Sequence, residues 1–129
     1  WIEGPWSLQG EYLRQTTHRG ALPDYSGDGW YVFGSWLLTG ESRSYSGGNV
    51  GNPKPAGKHG AVELLARYSR IDLDDAGIDG GRESNWTLGA NWYVGANLKF
   101  QANYIRADAR RGARHVHPDI LQLRAQFHF

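Results

Sequence analysis

The 129 residues contain no cysteine and no methionine. Without thiols there is no disulfide framework, no thiol nucleophile and no cysteine-based zinc centre. No stretch approaches the roughly 18 consecutive apolar residues that a membrane-spanning helix requires. Neither sign of charge dominates, since 14 Lys and Arg stand against 13 Asp and Glu. A net charge of +1 exerts no strong pull on nucleic acid, and no nucleic-acid partner is expected. No glycine-rich motif links a strand to a helix, so there is no nucleotide fingerprint. The chain opens with neither Met nor a secretory leader, so Trp1 is expected to be an internal start. A mean hydropathy of −0.61 looks like that of a soluble protein. That average is blind to strands in which only alternate residues meet lipid.

Two classes of residue are abundant. Glycine numbers 18, and aromatics make up 13% of the chain with six tryptophans. They fall in a period of two that recurs in six segments. The first, about 6–16, sets Trp6, Leu8, Gly10 and Tyr12 against Ser7, Gln9, Glu11 and Gln15. The second, about 29–39, aligns Trp30, Val32, Gly34, Trp36 and Leu38, with a less polar opposite face. The third, about 60–72, sets Val62, Leu64, Ala66 and Tyr68 against Glu63, Leu65, Arg67 and Ser69. The fourth carries Trp86, Leu88, Ala90, Trp92 and Val94, and the fifth Leu98, Phe100, Ala102 and Tyr104. The sixth carries Leu121, Leu123, Ala125, Phe127 and Phe129 against Gln122, Arg124, Gln126 and His128. Soluble sheets favour strands of about five or six residues. Ten or more residues of alternation suit a tilted strand crossing a bilayer, with its polar side toward a wet lumen. The fold class predicted is therefore all-β, an antiparallel up-and-down transmembrane β-barrel of which this chain supplies about the last six strands.

The connections fit a meander. Gly95-Ala96 predicts a tight hairpin, while 74–82 and 109–117 predict longer loops. With the C-terminus on the periplasmic side, the short turn is periplasmic and the longer loops are extracellular. The long connection 40–58, rich in Gly, Ser and Pro, falls on the periplasmic side by parity. It is expected to fold back into the pore, unless a short strand within it breaks the parity. The aromatics divide into two rows on the lipid face. Trp6, Trp36, Trp92, Phe100, Phe127 and Phe129 lie near one end, and Tyr12, Trp30, Tyr68, Trp86 and Tyr104 near the other. Amphipathic rings prefer the two membrane interfaces, whereas a soluble sandwich would place them mid-strand. An amphipathic strand closing on Phe129 resembles the signal read by the barrel-assembly machinery.

Several blocks together carry a family resemblance. They are Gly29-Trp30-Tyr31-Val32, Leu38-Thr39-Gly40-Glu41-Ser42-Arg43, and Gly60-Ala61-Val62-Glu63-Leu64 with Ala66-Arg67-Tyr68-Ser69. Asn85-Trp86-Thr87-Leu88-Gly89 with Asn91-Trp92-Tyr93 follows, and then Pro118-Asp119-Ile120-Leu121-Gln122-Leu123-Arg124-Ala125-Gln126. In this order they resemble the C-terminal third of the phosphate-selective porin O and P family. The resemblance implies a sixteen-stranded trimeric barrel in the bacterial outer membrane, passive passage of phosphate or other anions, and pore-lining Arg and Lys. Six strands cannot supply sixteen. Residues 1–129 are thus expected to form the C-terminal segment of a single barrel domain, its remaining strands coming from elsewhere.

A porin works through pore diameter and lining charge rather than bond chemistry, so neither enzymatic activity nor a cofactor is expected. Parity turns Arg67, Lys99, Arg124 and Glu63 toward the lumen. They either line the anion path or form a charge network in the wall, with Arg67 pairing with Glu63 or Glu11. Arg110, Arg111, Arg114, His115 and His117 cluster in the predicted extracellular loop, where they would concentrate anions or bind lipopolysaccharide phosphates. Arg106, on the lipid-face parity, favours lipopolysaccharide. His115-Val116-His117 places two rings on one face but lacks a carboxylate at fixed distance, so no metal centre is predicted. Asp72, Asp74, Asp75 and Asp79 lack calcium-loop spacing and read as a solvated loop. Gly10, Gly34 and Gly89, in mid-strand, read as easing curvature. The competing readings are a non-conducting outer-membrane structural or adhesion barrel and a soluble carbohydrate-binding β-sandwich.

Overall fold

The computed structural model describes residues 1–75 and 77–127, with backbone alone at Asn49. Among these residues there are strands and no helix: β1 (Ile2–Glu3), β2 (Trp6–Arg19), β3 (Leu22–Leu37), β4 (Tyr45–Ser46), β5 (Asn49–Val50), β6 (Ala61–Asp72), β7 (Arg82–Val94), β8 (Leu98–Arg111), β9 (Arg114–Val116) and β10 (Asp119–Phe127). One antiparallel sheet runs β1-β2-β3-β6-β7-β8-β10, with β9 also paired to β8. β4 and β5 form a separate two-stranded ribbon. The long strands β2, β3, β6, β7, β8 and β10 are the six that the alternation predicts, joined as an up-and-down meander.

Directly opposed residues point to the same side of a sheet, so the register decides what each face is made of. Leu8 pairs with Gly34, and Tyr12 with Trp30. Gly34 then meets Ala66, and Trp36 meets Leu64. The row continues through Ala66 with Leu88, Leu88 with Tyr104, and Tyr104 with Leu121. The apolar sets of six strands therefore merge into one continuous face. Among the described residues no second layer covers it: Leu123 is 75% exposed and Trp86 58%. The buried hydrophobic residues among those described are Leu37, Ala61, Tyr93 and Ala107, too few for the core between two packed sheets. The described residues thus form one sheet rather than two packed ones.

Strand ends depart from expectation in a consistent direction. β2 and β3 run on to a two-residue turn at Gly20-Ala21, where Arg19 pairs with Leu22. Alternation is lost in these outer arms because Pro23, Asp24 and Gly27 interrupt it, yet backbone pairing continues. β8 likewise extends to Arg111, turns through Gly112-Ala113, and pairs with β9. The expected loop 109–117 is therefore mostly the tip of a hairpin. Its ladder breaks at Pro118, which has no N–H to donate, and only the Ala107 N–H to Pro118 carbonyl bond forms there, at 3.0 Å. The expected Gly95-Ala96 turn includes Asn97, since Val94 pairs with Leu98. The Asp74–Arg82 connection is held by its own acids: the Gly81 N–H donates to Asp74 Oδ1 at 2.7 Å. Phe129 and His128 lie outside the described residues.

Candidate functional site

The face opposite the apolar one is polar, and its side chains pair across strands. Ser7 and Ser35 hydroxyls lie 2.6 Å apart. Gln9 donates to the Tyr31 hydroxyl at 2.7 Å, and Gln101 donates to Asn91 Oδ1 at 2.9 Å. Arg67, Lys99, Arg124 and Glu63 all belong to this face through the pairs Phe33–Arg67, Tyr93–Lys99, Gln101–Arg124 and Leu37–Glu63. The sequence prediction thus brings these four to one side of the sheet.

Their roles differ from one another. Glu63 is fully buried and Arg43 nearly so. The Arg43 guanidinium donates to Glu63 Oε1, while Asn91 Nδ2 and the Tyr93 hydroxyl donate to Oε2 at 2.8 and 2.9 Å. Arg43 also donates to the Gly51 carbonyl at 3.1 Å and to Tyr93 Oη at 3.2 Å. A buried carboxylate survives only when its charge is paired and its lone pairs are used, and both conditions hold here. Arg67, expected to pair with Glu63 or Glu11, does neither. Its guanidinium lies 4.6 Å from the centre of the Tyr31 ring. Lys99 Nζ lies 4.8 Å from the Tyr93 ring centre. Arg124 is exposed, and among the described residues no ion pair involves Arg67, Lys99 or Arg124.

Arg43 comes from the connection between β3 and β6, which the sequence places ambiguously. Its two short strands pair only with each other, so strand parity survives. The segment folds back over the polar face, where a cleft is lined by Gln9, Phe33, Arg43, Tyr45 and Val50. Its two ends are fastened. Thr39 Oγ1 accepts from the Val62 N–H at 3.1 Å, extending the β3–β6 ladder through a side chain. At the far end Gly60 has φ +82°, and a Cβ there would stand 2.1 Å from the Tyr93 carbonyl oxygen, so only glycine fits. Burial alone would lower the Arg43 guanidinium, but hydrogen bonding and attraction to Glu63 hold it above its ordinary value. Glu41 is slightly desolvated, yet bonds from the Thr39 hydroxyl and the Ala56 N–H hold its carboxyl below the usual range. Sequence reasoning assigned Arg43 no role. The only signal is that a buried-face glutamate, Glu63, needed a cation and the nearest candidate on its own strand points elsewhere.

On the apolar face each aromatic row gathers rings from neighbouring strands into clusters. Trp6 stacks on Trp36 at 4.8 Å and 6°, and Trp92 lies 5.7 Å from Phe100. The Trp92 indole N–H donates to the His59 carbonyl at 2.8 Å. Phe127 falls in the same row opposite Leu98. In the other row Tyr68 sits between Trp30 at 5.3 Å and Trp86 at 4.8 Å. Tyr104 donates to Asp119 at 2.7 Å. Along β2, β3 and β7 six residues separate the rows, about 20 Å at 3.3 Å per residue. Gly89, on the polar face, also sits at a close approach: a Cβ there would meet Asn103 Oδ1 at 2.2 Å and Leu65 Cδ1 at 2.8 Å.

The expected basic loop is split by the hairpin. Arg111 and Arg114 oppose each other on the polar-face parity, whereas Arg110 pairs with His115 on the apolar-face parity. Arg111 is tied to the neighbouring loop through the Asp79 carbonyl at 3.1 Å. Asp108, which the sequence reading passed over, contacts both His115 and His117.

Comparison with known proteins adds the remaining findings. The family model described as phosphate-selective porin O and P matches residues 1–129. Porin O of Pseudomonas aeruginosa is 36% identical over 121 residues, covering 83% of this chain and 28% of the relative. An uncharacterized protein of Caulobacter vibrioides is 31% identical over 110 residues, covering 80% of this chain and 22% of the relative. The chain thus spans about a quarter of the length of these relatives.

Proposed function

This chain belongs to the phosphate-selective porin O and P family, and we propose that it forms one sector of the wall of an outer-membrane barrel through which anions, phosphate among them, diffuse passively. The apolar face with its two aromatic rows meets lipid, and the polar face meets the lumen. The remaining strands come from parts of the protein outside these residues, because the edges β1 and β10 cannot stay unpaired in lipid. The barrel assembles as a trimer, its last strand is handled by the barrel-assembly machinery, and the C-terminus is periplasmic. That orientation puts the Gly20, Gly112 and 73–81 tips outside the cell, where Arg70, Arg106 and Arg110 on the outward parity face lipopolysaccharide phosphates. None of this calls for enzymatic chemistry.

The observation that carries the reading is the charge balance of the polar face between the aromatic rows. Arg43, Arg67, Lys99 and Arg124 stand there against Glu11 and Glu63, and Glu63 is neutralised by Arg43. Among the described residues no salt bridge engages Arg67, Lys99 or Arg124, so their field reaches the water of the pore and attracts anions. Arg111 and Arg114 stand on the same parity toward the mouth, against Glu83. Planar-bilayer recording of the full-length protein in a KCl gradient tests this. An anion-selective reversal potential, partly blocked conductance on adding phosphate, and a shift toward cations when Arg67, Lys99 and Arg124 are all changed to Gln are expected. A reversal potential unmoved by the triple change would reject these residues as the lining.

A further inference from the structure

The β8–β9 hairpin tip gathers three metal-ligating side chains. Arg110 pairs with His115, and the ladder resumes at Ala107 and Pro118, so His115 and His117 share a face with Asp108. His115 Nε2 lies 2.9 Å from Asp108 Oδ1, and His117 Nδ1 lies 3.0 Å from Oδ2. The two imidazoles are 4.1 Å apart between ring centres. One ligating atom from each of the three residues falls within 4.8 Å of the others. The carboxylate missing from the His-Val-His reading is thus supplied by the opposite strand.

We propose that Asp108, His115 and His117 form a binding site for a borderline divalent transition ion such as Zn2+ on the outward face of this hairpin tip, beyond the upper aromatic row. Two imidazole nitrogens and one carboxylate oxygen suit Zn2+, Co2+, Ni2+ or Cu2+, whereas Ca2+ and Mg2+ favour all-oxygen shells of six or more ligands. A tetrahedral ion held at about 2.0–2.2 Å needs ligand atoms roughly 3.3–3.5 Å apart. The His115–Oδ1 and His117–Oδ2 spacings are a few tenths of an ångström short of this and reach different oxygens, so the Asp108 carboxylate turns to offer one oxygen beside both rings, a rotation open to exposed side chains. The fourth position opens to solvent, where water or a phosphate oxygen completes the shell. Arg106 and Arg110 share the outward parity and oppose a bound cation, which places the affinity well below that of a closed structural zinc centre. The ion would also clasp β9 to β8 where Pro118 removes a backbone bond. His18 and Asp24 offer an internal contrast: their contact of 2.7 Å at the Gly20 tip brings only two ligands together.

The test is calorimetric titration of ZnCl2, with Co2+ absorption as a second readout, into full-length untagged protein stripped by chelator in detergent. One ion per chain is expected. Asp108→Asn, His115→Ala or His117→Ala should each weaken binding by about tenfold or more, with His18→Ala without effect. All four positions are exposed, and unchanged heat-modifiable migration on gels confirms that each variant barrel is folded. Absence of binding to the folded parent protein, or affinity unmoved by the three ligand substitutions, would overturn the site.

Discussion

Two places on this sheet bring acids and cations together, and they use the same residue types under opposite conditions. At the lower end of the polar face, the connection between β3 and β6 buries Arg43 on Glu63, with Asn91 and Tyr93 completing the carboxylate's bonds. On the other parity, beyond the Trp30–Tyr68–Trp86 row, Arg82 lies 2.9 Å from Asp72 and 3.2 Å from Asp74, but its side chain remains 54% exposed. Water already satisfies the exposed charges, so their pairing adds little. The buried charges have no such alternative, so losing one partner strands the other. Burial, rather than the number of ion pairs, decides which cluster holds the chain in place.

The largest effect should follow from Glu63→Leu. It leaves Arg43 buried without its counter-charge, a change that costs about 3–5 kcal/mol. Urea unfolding in detergent measures it, and adding Arg43→Leu should restore much of the loss; simple additivity of the two changes would argue against a coupled network. Gly60→Ala comes next. A side chain at φ +82° costs about 1–3 kcal/mol, and here it also meets a rigid backbone carbonyl. Gly89→Ala should be milder by the same assay, because the atoms in its way end flexible side chains of Asn103 and Leu65. If Gly89→Ala proves the costlier of the two, the connection is not docked at Gly60 as described. Arg82→Ala should be the smallest, at about 0–1 kcal/mol, and less still at high salt.

The same contrast explains what the sequence made legible. Alternation holds where one face is apolar and the other polar, so all six long strands, their apolar sides and both aromatic rows are readable from Trp6 to Phe127. Beyond the rows, both faces of a hairpin arm meet water and no pattern is enforced. The outer halves of β2 and β3 and the β8–β9 tip therefore resemble loops although their backbones pair. The lining candidates Arg67, Lys99 and Arg124 follow from parity alone. The partner of Glu63 does not, because Arg43 arrives from an irregular segment twenty residues earlier in the chain. Asp108 was hidden for a related reason: it lies one strand away from His115 and His117, and only the register across Gly112-Ala113 brings them together.

The central claim is that one face of this sheet meets lipid and the other meets water. These residues hold no cysteine, so a cysteine introduced here is the one thiol on this sheet. Single cysteines placed along β7 and β8 of the full-length protein, at Thr87, Leu88, Ala90, Gln101, Ala102 and Asn103, would be exposed in liposomes to a water-soluble thiol reagent. Modification at Thr87, Gln101 and Asn103 and protection at Leu88, Ala90 and Ala102 are expected, a strict period of two. Modification without that period, or with the two sets exchanged, would contradict it.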